Sequence, residues 1–111
     1  MNWIALENEE QLDEINALSK SRPQVIFKHS TRCSISVVAK NRLDGGMAIP
    51  NTDFYYLDLL KHRNISDKIA AIYNVHHQSP QVLLIKNGDC TYEETHSGIR
   101  MGDIEEQIMM D

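Results

Sequence analysis

Residues 81–96, QVLLIKNGDCTYEETH, leave the chain few choices. An apolar run ends at Asn87-Gly88, and a second segment of similar length follows. Asn-Gly between two such runs is a strong hairpin signal, because a two-residue turn with positive φ at both positions matches the natural strand twist. Gln81–Lys86 is therefore predicted to be one strand and Asp89–His96 its antiparallel return. Ser79-Pro80 opens the first of these strands. A proline is tolerated at a first strand residue in either isomer; a cis bond would turn the chain sharply there.

Upstream, short apolar runs alternate with helical patterns. Trp3–Leu6 suits an edge strand. Asn8 can cap a helix whose stripe is Leu12, Ile15 and Leu18, ended by Pro23. Val25-Ile26-Phe27 suits a strand buried on both faces. Ile35, Val38, Ala39 and Leu43 keep helical spacing until Gly45-Gly46. Phe54–Leu57 is a further strand. Ile65, Ile69, Ile72 and Tyr73 mark a helix starting near Asn64 or Ser66, and Met101, Ile104 and Ile108 mark a last one. The order β-α-β-α-β-α-β-β-α implies an α/β fold: a central mixed sheet of four to five strands with helices on both faces.

Composition narrows the setting. A chain of 111 residues can bury one core without staples, and two cysteines do not make a disulfide scaffold. Neither a signal peptide nor a membrane-length apolar stretch is visible, so a reducing, cytoplasmic location is expected. A formal net charge of −5 argues against nucleic acid or an anionic membrane as partner. Acidic residues crowd both ends and read as solvated helix faces, whereas the segment from Lys28 to Arg63 is more basic.

Within that basic segment lies FKHSTRCSIS, residues 27–36. Cys33 follows a strand and opens a helix, where free N–H groups and the helix dipole stabilise a thiolate, the nucleophile of disulfide exchange. The other reading of Cys33 is a buried small hydrophobe. Lys28, His29 and Arg32 bring positive charge along the chain, and His29, His76 and His77 are candidates to tune the thiol. A metal site of Cys33 with these histidines lacks the usual ligand spacing, so no metal is expected. His62 and His96 read as surface or loop residues.

A strand–Cys-x-x-Ser–helix, an x-Pro before a hairpin and a Gly before a last helix together resemble the thioredoxin superfamily, with IAAIYNV and SPQVLLIKNGD matching its third helix, cis-proline and hairpin. More narrowly, FKHSTRCSIS and HHQSPQ resemble the monothiol bacilliredoxins, over about Val25 to Gly98. Arg32 stands where that family often has threonine and Ser34 where it has proline. Residues 1–111 are accordingly read as one thioredoxin-like domain. The resemblance implies Cys33 as attacking thiol, Thr31, Arg32, Ser34 and Ser36 as its active loop, and Ser79 and Pro80 as the substrate-docking turn. It also implies no tightly bound cofactor, bacillithiol or a similar small thiol as co-substrate, S-thiolated cytoplasmic proteins as clients, and a reductase or second redoxin for recycling. Six residues before Cys33, where thioredoxins carry a buried acid, stands Phe27.

Two limits follow from the residues themselves. Serine at position 36 forms no disulfide, so a two-cysteine cycle through this motif is excluded. Cys90 follows the hairpin, about 20 Å of strand away from Pro80, beyond the ~7 Å that a disulfide tolerates between Cα atoms. It reads as a structural or peripheral thiol, with pairing to a second molecule as the alternative. Two other readings remain for the chain: an iron–sulfur carrier of the monothiol glutaredoxin kind, whose Cys-Gly-Phe-Ser differs at both middle positions, and an interaction module without chemistry.

Overall fold

The computed structural model describes residues 1–110. Strands β1 (Trp3–Ala5), β2 (Gln24–His29), β3 (Asp53–Asp58), β4 (Gln81–Lys86) and β5 (Asp89–Thr95) form one sheet in the order β1-β3-β2-β4-β5. Helices α1 (Glu10–Leu18), α2 (Ser34–Asp44), α3 (Arg63–Tyr73) and α4 (Met101–Met109) connect or follow them. β1, β3 and β2 run parallel, while β4 lies antiparallel to β2 and to β5. Asn87 and Gly88 take φ of 52° and 78°, the turn the hairpin requires. The returning strand stops at Thr95, and His96–Gly98 form a 3-10 turn instead.

The pleat sends alternate residues of each strand to opposite faces. Ile26, Leu57, Leu83 and Ile85 pack with Leu12 and Ile15 of α1 and with Ile65, Ile69 and Tyr73 of α3. Val25, Phe27, Phe54, Val82 and Leu84 pack instead with Ala39 and Leu43 of α2 and Ile104 of α4. The central strands β2 and β4 are buried on both sides, which is why their sequences run apolar without alternation. At the start of α1, Asn8 Oδ1 accepts the Gln11 N–H while Gln11 Oε1 accepts the Asn8 N–H, each at 3.1 Å. That reciprocal pair is a capping box.

Four positions of the apolar stripes are not core. Leu18, Ile35, Val38 and Ile72 are exposed. Spacing identifies the apolar side of a helix but not how far the sheet covers it. α3 starts at Arg63, next to Asn64, after His62 with no side-chain cap, and Ser66 is buried in its first turn. Among the described residues no helix is long and apolar enough to cross a membrane.

Candidate active site

Cys33 is the residue before α2, in extended conformation and half-buried. Its N–H donates to Ser30 O at 3.2 Å, and its carbonyl accepts the Val37 N–H at 3.0 Å, so the first turn of α2 is tied directly to the cysteine's own backbone. The sulfur therefore sits at the end of the helix where free N–H groups favour negative charge. Thr31, Arg32 and Ser34 around it are exposed. Among the described residues Cys33 Sγ makes no hydrogen bond.

Ser36 does not share that exposure. It is wholly buried, its Oγ accepting the Ser30 N–H at 3.0 Å and bonded to His29 Nδ1 at 2.6 Å. The hydroxyl thus fastens the loop 30–33 and the first turn of α2 to the end of β2. Burial holds the His29 imidazole below its ordinary pKa, with Lys40 adding to the effect. The ring stacks on Phe27 at 5.7 Å, so the position of the thioredoxin acid is here part of an aromatic layer.

Ser79-Pro80 is a cis peptide. Lys28 pairs with Gln81 across β2 and β4, so the end of β2 that leads to Cys33 and the start of β4 lie at the same end of the sheet. Pro80 O accepts the His96 N–H at 3.1 Å. His96 and Ser97 in turn share a groove of about 250 Å³ with Ser34, Ile35, Val38, Ala39 and Arg42. The exposed Ile35 and Val38 are thus the apolar wall of a groove beside the thiol. His96, read from the sequence as a surface or loop residue, forms its other wall. Arg42 closes the far end, donating to Ser97 O at 3.2 Å and Ile99 O at 3.1 Å. Nothing in the sequence marks these two residues, because their partners lie far along the chain.

Lys28 and His77 are brought together, but on the other face of the sheet. Lys28 is wholly buried beneath α3, where its Nζ donates to Ser66 O at 3.4 Å and to His77 Nδ1 at 3.3 Å. Desolvation lowers the Lys28 pKa to about 8. Burial also lowers that of His77, and the nearby Lys28 charge adds to it. His29 and His77 therefore sit on opposite sides of β2. Among the described residues no group of three or more His, Cys, Asp or Glu side chains is gathered to hold a metal ion.

Cys90 lies by the hairpin turn, pairing with Ile85, at the opposite end of β4 from Pro80. It packs against the core under α1 and α3, and its Sγ donates to Tyr92 O at 3.4 Å. Burial raises its pKa, which keeps it protonated and poorly reactive.

A five-stranded mixed sheet flanked by two helices on each face, with a lone cysteine at the start of α2 opposite a cis-proline, defines a thioredoxin-fold oxidoreductase. Solved structures bear out the fold. A protein described only as a candidate oxidoreductase with a thioredoxin fold is 28% identical, with a TM-score of 0.81, 94% of this chain and 91% of that one being covered. Thioredoxin from Fasciola hepatica is similar at 17% identity and TM-score 0.73, covering 94% of each chain. Malassezia sympodialis thioredoxin is similar at 14% and 0.74, over 96% of this chain and 88% of that one. The model of the monothiol bacilliredoxin family BrxC matches residues 4–104, and the chain belongs to that family.

Proposed function

We propose that the protein removes a low-molecular-weight thiol, such as bacillithiol, from mixed disulfides on cytoplasmic proteins through Cys33. The observation that carries this reading is the pairing of a lone, half-exposed thiol before α2 with a buried, hydrogen-bonded serine where a resolving cysteine would stand.

The chemistry follows from that pairing. Cys33 thiolate attacks the small-thiol sulfur of the client's mixed disulfide; the old S–S bond breaks as the new one forms. The client cysteine leaves as a thiolate and takes a proton from solvent. Cys33 now carries the small thiol, and Ser36 has no sulfur with which to expel it. A second small thiol, another redoxin or a reductase must attack that adduct, supplying the two electrons that the client disulfide has taken up. The cis-Ser79-Pro80 turn would align the incoming disulfide, and the groove of Ile35, Val38 and His96 would offer apolar surface beside it.

The test offers bacillithiolated and glutathionylated forms of one model protein and follows release of the free client thiol. Wild-type protein is expected to free the client thiol stoichiometrically, faster from the bacillithiol adduct, while Cys33 takes up the small thiol. A Cys33→Ala variant is expected to be inert. Equal release by that variant would overturn the proposal.

A further inference from the structure

β2 carries the chain toward Cys33, and the loop between α3 and β4 carries it toward Ser79-Pro80. The two segments must keep a fixed separation if a disulfide is to lie between thiol and turn. That loop is held at three successive residues. Gln81 Nε2 donates to His76 O at 3.0 Å and to Glu93 Oε2 at 2.9 Å, and Gln81 Oε1 accepts the Gln78 N–H at 3.4 Å. These bonds hold the loop to β4 and β5. The tie from a loop side chain to β2 is different: it is His77 Nδ1, which accepts from Lys28 Nζ at 3.3 Å and lies 3.2 Å from Ser66 Oγ.

Lys28 is an unusual residue for that position. Its ammonium is wholly buried, and among the described residues it makes no ion pair; Asp67 and Glu93 act on it only through their field. A buried charge without a contacting counter-ion weakens a fold relative to an apolar side chain of similar size. Stability therefore does not account for it, whereas its place between strand and loop does.

We propose that Lys28 is a positioning residue: through His77 it fixes the 76–79 loop, and with it the Ser79-Pro80 turn, at the distance from β2 that lets a mixed disulfide dock against Cys33. This rests on the redox reading of Cys33 given above. It assigns Lys28 a role through the loop in place of a direct effect on the thiol.

The test compares wild type, Lys28→Met, His77→Leu and the double variant in steady-state release of client thiol from a bacillithiolated model protein, with excess free small thiol added to discharge Cys33, alongside pH-dependent alkylation of Cys33 and amide exchange of the 76–79 loop. Each single variant is expected to raise KM about tenfold and to change kcat less than about threefold. The double variant should match the singles, because both changes break one tie. The pH midpoint of Cys33 alkylation should stay at the wild-type value, and exchange at Gln78 should quicken. A moved alkylation midpoint with unchanged KM, additive losses, or unaltered exchange would each overturn the proposal. Should Lys28→Met fail to fold, His77→Leu carries the same three readouts. Absence of release by the wild type would defeat the redox reading, and the exchange result would still decide whether Lys28 holds the loop.

Discussion

Replacing Lys28 by methionine tests the buried charge directly, through the pH dependence of stability. The lysine's pKa falls from 10.5 to about 8 on folding. Below about pH 8 both folded and unfolded chains hold the proton, and the fold carries the whole cost of the buried ammonium. Between the two values the unfolded chain binds more protons than the folded one, so stability rises with pH through this window and levels off above the unfolded pKa. At about 1.4 kcal/mol per unit, the rise attributable to Lys28 between about pH 7 and about pH 10 is roughly 2–3 kcal/mol. Urea denaturation of wild type and Lys28→Met at a series of pH values measures it, since other groups titrating in that range contribute to both proteins and cancel in the difference. The wild type should gain on the variant by that amount as the pH rises. A difference that stays flat across the range would refute the account of Lys28 as a buried, unpaired ammonium.

Ser36→Ala removes the hydroxyl that serves Ser30 N–H and His29 Nδ1, so unfolding measurements should show a loss of about 1–3 kcal/mol, with slower release of the client thiol. Ser36→Cys places a second thiol three residues after Cys33, within the roughly 7 Å Cα separation of a disulfide. It should free the small thiol in a single turnover without any added thiol; an adduct that persists in this variant would count against the resolving role assigned to that position. Cys90→Ala should leave release unchanged and cost about 1 kcal/mol of stability for its partly buried contact with the core. A large fall in its turnover would show that Cys90 takes part.

Much of this arrangement was legible from local pattern. Asn87-Gly88 located the hairpin, the uninterrupted apolar runs of β2 and β4 marked strands covered on both faces, and the sites of Cys33 and Ser79-Pro80 followed from where those runs begin and end. What periodicity could not say is which apolar helix residues find cover. Ala39 and Leu43 meet the sheet, while Ile35 and Val38 of the same helix line an open groove, because the 96–97 turn stands off from α2 at that point. Nor could it place polar partners that meet only through the fold. Lys28 lies five residues before Cys33, so charge near the thiol was the natural reading. The strand's pleat instead turns it to the far face, toward Ser66 and His77. Ser36 reads as a missing cysteine in the sequence; in the fold it is a buried clamp. The isomer of Pro80 likewise depends on the neighbours its strand acquires.

The central claim is that one sulfur takes up the small thiol and cannot discharge it alone. Intact-mass measurement with peptide mapping, after one equivalent of bacillithiolated client is mixed with the protein and before any other thiol is added, tests this most directly. The account predicts one small-thiol adduct per chain, located on Cys33, stable until a second thiol arrives, with Cys90 free. Spontaneous loss of the adduct into a Cys33–Cys90 disulfide, or an adduct on Cys90 alone, would contradict it.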